Sequence, residues 1–304
     1  MTLFSLLHSL ALATPETSAL LPVQANVQAT SWPGGDVVIV VSHGRGGSTV
    51  LCDTIAILGN ASNRNLLRRE LFGESLNEML AQPDPLSLMR SYLSEQRAAD
   101  PGAHYVGFKW KLPSSPVTPA YDAVWRWVAE HGARVVLLHR NLLDTYLSTL
   151  RHAASGNGLS SHCHPGDAAC VAEHQHVRVT PNTTEMLTSL EGMERAENES
   201  LAVLTRYGVP HRVVYYETLF DGQKGERGFA GARSERAALE AWTPLLRFLG
   251  EPDPSSGYRK IAAAISATRL ESTSAARTQC DSLTDADAVR TALVGTRYEG
   301  LLEC

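Results

Sequence analysis

Residues 36–55 read DVVIVVSHGRGGSTVLCDTI, and this stretch decides the fold class. Asp36 is followed by five β-branched residues, Val37, Val38, Ile39, Val40 and Val41. Such an apolar run of strand length suits a strand buried on both faces of a parallel sheet. Gly44, Gly46 and Gly47 then surround Arg45, and Ser48 and Thr49 open a segment, VLCDTIAIL, with apolar residues at helical spacing. Strand, glycine turn and helix in that order build an anion site. The glycines allow left-handed backbone and close approach to a ligand. Successive N–H groups converge, and the helix start adds its unpaired donors and partial positive charge. Ser48 and Thr49 bring hydroxyls, and Arg45 brings a planar fork that matches a phosphate or sulfate edge. A tight turn without a ligand is the bland alternative, but an arginine inside a glycine nest has no packing purpose.

The loop stops short of a triphosphate clamp. That motif reads GxxxxGK followed by Ser or Thr, and here Gly47 stands where the lysine belongs. Working outward, the segment HYVGFKWKLP predicts a second strand on which Lys109 and Lys111 share a face. Two lysines at the end of a buried strand need an anion or a carboxylate nearby, the alternative being a strand end that is solvated. A third strand, ARVVLLHR, runs into NLLDTYLSTLR and leaves Arg140 at its carboxyl end, with Ser148 two turns on. Ligands of open α/β sheets bind at those ends. Asp144, between them, is placed to orient Arg140 or to cap the helix. A fourth strand follows in HRVVYYETLF, and helices are predicted near 86–99, 120–131, 183–207 and 236–249. Alternating strands and helices imply an α/β fold in three layers, a mostly parallel sheet with helices on both faces. Residues 1–31 read as an apolar start and irregular leader, and 32–304 as one domain on which a tail, 251–304, packs.

Composition sets the outer limits. The 304 residues are 43% hydrophobic and 19% charged, which provides a sizeable core. A net charge of −5 argues against a nucleic-acid partner, though not against a small anion held by local arginines. No apolar run approaches the ~18 residues of a membrane span. The apolar segment Leu3–Ala13 has the shape of a short secretory signal but lacks a basic residue before it. Asn60, Asn182 and Asn198 stand in N-x-S/T patterns, and Cys163 and Cys170 bracket a loop able to close as a disulfide. These features point to a lumenal or secreted location, with the cytoplasm as the alternative. Cys52 reads as a core thiol, and Cys280 and Cys304 cannot be paired from sequence. The histidines from His162 to His176 match no common zinc spacing.

With both anion candidates placed, the sequence resembles the sulfotransferases that use 3′-phosphoadenosine-5′-phosphosulfate (PAPS). Arg45-Gly46-Gly47-Ser48-Thr49 is similar to that family's RSGST signature, and Arg140 to Ser148, RNLLDTYLS, to its Arg-x-x-x-Asp-x-x-x-Ser signature. In the expected order fall Glu70-Leu71-Phe72-Gly73, which resembles the E-(I/L)-F element of the carbohydrate-type and bacterial branches, and Gly107-Phe108-Lys109, which resembles their GFK strand. Tyr216-Glu217-Thr218-Leu219, Phe248-Leu249-Gly250 and Leu293–Tyr298 (LVGTRY) resemble further family elements. Gly46 departs from the pattern, where serine is usual, and Lys111 stands where cytosolic members carry a histidine base. The resemblance implies a P-loop-NTPase-like fold and PAPS as co-substrate, with adenosine 3′,5′-bisphosphate (PAP) as product. Arg45, Gly46, Gly47, Ser48 and Thr49 would hold the 5′-phosphosulfate, and Arg140 and Ser148 the 3′-phosphate. Glu70 would be the base, and Lys109 and Arg45 would stabilise developing charge. No metal would be required, and the acceptor would be a hydroxyl of a glycan or, failing that, a small alcohol. A P-loop kinase or nucleotide hydrolase and a non-catalytic nucleotide- or glycan-binding relative are the competing classes.

Overall fold

A computed structural model describes residues 36–63, 67–72, 83–112, 121–154, 177–221, 232–251 and 278–304. The leader, the Cys163–Cys170 loop and the histidine-rich stretch from His162 to His176 lie outside them. The described residues form an α/β fold around a four-stranded parallel sheet ordered β2-β1-β3-β4. The strands are β1 (Asp36–His43), β2 (Tyr105–Leu112), β3 (Arg134–His139) and β4 (His211–Tyr215). The helices are α1 (Ser48–Leu58), α2 (Pro85–Ala99), α3 (Asp122–Glu130), α4 (Leu142–Ala154), α5 (Thr183–Arg206), α6 (Ala232–Leu249) and α7 (Ala286–Leu293).

β1 is central because its side chains are apolar on both faces. Val37, Ile39 and Val41 pack with Val106, Phe108, Trp110, Val135 and Leu137 against helices α2, α3 and α5. Val38 and Val40 join Val136, Leu138 and Val214 beneath α1 and α6, where Leu51, Ile55, Trp242 and Leu246 close the layer. Each such residue contributes about 1.5–3 kcal/mol by leaving water, so the run Val37–Val41 pins the strand from above and below. This is the three-layer arrangement expected from the sequence. Cys52 lies fully buried in the α1 layer, and burial pushes its thiol well above the usual range, as suits a core thiol.

The strand order places the site. From β1 the chain crosses to β2 on one side and then to β3 on the other, so the crevice outside the carboxyl ends of β1 and β3 is a topological switch point. The glycine loop leaves β1 at that crevice, and Arg140 leaves β3 there.

A third apolar cluster ties the tail to this end of the sheet. Leu143 and Leu147 of α4 pack with Met186 and Leu190 of α5 and with Leu283, Val289, Leu293 and Tyr298. In the tail, α7 is capped by the Asp285 carboxylate on Ala288 N–H at 2.9 Å. Cys280 and Cys304, unassignable from sequence, are joined as a disulfide.

Candidate functional site

The glycine loop turns as sharply as its composition predicts. Gly46 N–H donates to the His43 carbonyl at 3.2 Å, and Gly47, at φ 85°, forms the N-cap of α1 without a side-chain cap. Ser48 and Thr49 are the first two helical residues, so the free N–H groups of the first turn face outward from the loop. Arg45 has φ 64°, a left-handed conformation that costs a non-glycine residue about 1–2 kcal/mol. Strain of this kind on a charged residue is typical of ligand-binding turns. A Cβ at Gly46 would lie 3.0 Å from the His43 carbonyl, so the loop backbone packs tightly at this position.

Arg140 closes the other side. Its Nη1 donates to the Arg45 carbonyl at 2.9 Å, and its guanidinium lies 4.7 Å from the centre of the Tyr216 ring. Asp144 stands 3.9 Å from its Nη2. The cap of α4 is Asn141, whose Oδ1 accepts from Leu143 and Asp144 N–H, so Asp144 orients the arginine and does not cap the helix. Glu217, in the five-residue π-turn Glu217–Asp221, accepts from Asn141 N–H at 2.7 Å and holds the turn after β3 in place. Ser148 lies half-buried on α4, one turn beyond Asp144 and on the same helix face.

The two arginines shape the electrostatics. Burial lowers the Arg45 guanidinium from its ordinary value, and the neighbouring Arg140 cation lowers it further. Arg140 Nε is buried with no hydrogen-bond partner among the described residues. Two cations are therefore held together with helix-start N–H groups, and an anion between them would offset the mutual repulsion.

Lys109, Lys111 and Glu70 form the third part. The Glu70 backbone extends the sheet beyond β2 through a parallel bridge to Lys109. Its carboxylate accepts from Lys109 Nζ at 3.1 Å and Lys111 Nζ at 2.9 Å. Alternation along β2 puts both lysines on the α1 face, and Glu70 is the carboxylate partner that their burial requires. Lys109 Nζ also donates to Thr49 Oγ1 at 3.2 Å, which connects this triad to the glycine loop.

Tyr216 has a further role that sequence reasoning missed. A Cβ on Gly47 would lie 2.4 Å from Tyr216 Cδ2 and Cε2. Gly47→Ala is accordingly expected to cost about 2–3 kcal/mol in urea unfolding, from the φ penalty plus the clash. Adding Tyr216→Ala should recover the clash and leave the φ cost. A double variant as unstable as the single one would refute this account.

A second group had no sequence signal at all. His43 and His139 end β1 and β3 on the α5 face, and Glu197 of α5 reaches both. Glu197 Oε1 is 3.3 Å from His43 Nε2, and Oε2 is 3.6 Å from His139 Nδ1. Burial lowers the His139 imidazole from its ordinary 6.5; Glu197 opposes that shift and His43 adds to it. The unfolded chain thus binds this proton at higher pH than the native one, so stability is full above about 6.5 and falls as pH drops through the depressed native value. Urea midpoints taken from pH 7.5 to 5 should fall in wild type and flatten in His139→Gln. An equal slope in both would remove His139 as the cause.

No protein-family model matches the sequence, and no curated protein matches it. Among solved structures the chain is similar to retinol dehydratase, described in complex with androsterone and the inactive cofactor PAP. The similarity has 15% identity and a TM-score of 0.40, and covers 88% of this chain and 70% of that one. A likeness at this level bears on neither ligand nor reaction.

Proposed function

We propose that this chain is a PAPS-dependent sulfotransferase, which moves a sulfuryl group to an acceptor hydroxyl, with a carbohydrate as the favoured acceptor class. The observation that carries this reading is the pairing of Arg45 and Arg140 across the β1/β3 switch point, joined by the 2.9 Å bond from Arg140 to the Arg45 carbonyl. Arg45 belongs to the helix-start loop after β1 and Arg140 follows the neighbouring strand β3, an arrangement that suits a ligand with two separated anionic groups better than a single triphosphate. The nest residues Gly46 and Gly47 offer backbone donors, and Ser48 and Thr49 add hydroxyls. The motif resemblance names such a ligand, and the buried Arg140 Nε, without a hydrogen-bond partner among the described residues, fits it.

Bound there, PAPS supplies an activated sulfuryl group whose leaving group is PAP. Arg45, Ser48, Thr49 and the loop N–H groups hold the 5′ end, and Arg140 and Ser148 hold the 3′-phosphate. Glu70 takes the acceptor's proton, and Lys109, already on Thr49, balances charge that builds near the loop. Most of the rate then comes from positioning and fixed charge. The carbohydrate preference rests on the Glu70-Leu71-Phe72 element. A lumenal compartment is part of the same proposal and is supported by the Cys280–Cys304 disulfide.

The test is a thermal shift with PAP against ATP, followed by transfer of labelled sulfate from PAPS to an acceptor panel. At a hundredfold excess over Kd, PAP should raise Tm by about 4 °C. Preference for ATP would favour a kinase or hydrolase. Binding of PAP with no transfer to any acceptor would favour a binding module.

A further inference from the structure

The tail meets the candidate 3′-phosphate site at the head of α4. Gln279 is buried and uses both ends of its amide. Its Nε2 donates to Asp144 Oδ1 at 3.0 Å, and its Oε1 accepts from Glu303 N–H at 2.6 Å. The other oxygen of Asp144 is the one facing Arg140. Asn141, next in sequence to Arg140, donates through Nδ2 to the Leu301 carbonyl at 2.9 Å. Beside these contacts, Cys280 follows Gln279, Cys304 follows Glu303, and the two are disulfide-bonded. Leu301 and Leu302 pack on the cluster that holds Leu143 and Leu147. Two chain segments fastened to each other thus grip Asn141 and Asp144, the residues that follow Arg140 at the head of α4.

We propose that Gln279 and Leu301–Glu303, held down by the Cys280–Cys304 disulfide, are positioning elements of the nucleotide site, so that opening the disulfide weakens nucleotide binding without removing any group that touches the ligand. The ligand in this statement rests on the two-phosphate reading above. Gln279 fixes Asp144, Asp144 aims Arg140, and the Leu301 carbonyl holds Asn141 at the helix start. A dithiol such as dithiothreitol cleaves the S–S bond. It delivers two electrons and two protons to leave thiols at Cys280 and Cys304, and becomes a cyclic disulfide itself. The bond closes a loop of 24 residues' separation. Without it, 301–304 must be ordered against their own chain entropy.

The experiment uses the full chain in four forms: oxidised, reduced with dithiothreitol, Cys304→Ser, and Gln279→Ala with its disulfide intact. Hydrogen–deuterium exchange reads residues 140–148, and calorimetry reads PAP affinity. The last three forms should exchange faster at the start of α4 and bind PAP about tenfold more weakly. Unchanged exchange at 140–148 in the reduced protein overturns the proposal, and so does faster exchange with unchanged PAP affinity. If the oxidised protein binds no PAP, the two-phosphate reading falls, and the strap is decided by the exchange data alone. Gln279→Ala separates positioning from general loosening, because its covalent tie is retained.

Discussion

Glu70→Gln is expected to lower sulfuryl-transfer turnover by about 10²–10⁴-fold while leaving the Kd for PAP within about twofold. The amide keeps the shape of the carboxylate and one oxygen to accept from a lysine, but it cannot take a proton. Lys109 and Lys111 each lie within 3.1 Å of a Glu70 oxygen, so the carboxylate is held in a single orientation at the edge of the sheet. Lys109 in turn touches Thr49, which places the proton acceptor beside the loop that would carry the phosphosulfate. Neither contact reaches Arg140, which is why PAP affinity should survive. Single-turnover transfer with labelled PAPS reads the chemical step, and circular dichroism checks that the lysines, left without the Glu70 charge, have not disturbed the fold. Turnover near wild type with binding intact would move the base elsewhere.

The parts of this site that could be read from sequence are those whose meaning is local. Val37–Val41 can only be a strand buried on both faces, and the glycines around Arg45 can only be a turn that exposes backbone. Lys109 and Lys111 on alternate positions of β2 left a carboxylate partner or a solvated strand end open, and Glu70, in a segment Gly73 makes a poor helix, bridges to Lys109 at the sheet edge and is that partner. Where distant segments meet without a motif at either end, the sequence was silent. His43 and His139 are unremarkable strand-end residues until α5 lays Glu197 between them. The Tyr216 ring matters because Gly47 leaves room for it, and that complementarity spans most of the domain. Cys280 and Cys304 pair because Leu283 and Leu293 dock on α4 and α5, a consequence of core packing that no cysteine spacing encodes. Gly46 was legible as a departure from a motif. The tight packing at that position, a carbonyl 3.0 Å from any added Cβ, needed coordinates.

Arg140→Ala should weaken PAP binding by about 100-fold or more, since truncating one partner of a largely buried charge pair typically costs about 2–5 kcal/mol. Three losses add in this direction. The 3′-phosphate loses a guanidinium fork, the Arg45 carbonyl loses its donor at 2.9 Å, and the Tyr216 ring loses the cation 4.7 Å from its centre. The second and third losses loosen the glycine loop as well, so the damage should spread to the 5′ end of the ligand. Arg140→Lys separates charge from geometry. It keeps the cation but not the planar fork or the stacking, and should fall between wild type and alanine, about tenfold weaker than wild type. Asp144 would still be anchored by Gln279 in both variants, so the head of α4 should stay folded and calorimetry should report binding alone. Equal affinities for wild type and Arg140→Ala would mean that the second phosphate is bound elsewhere. The crevice between β1 and β3 would then hold one anion, and the reading of two separated phosphates would fail with it.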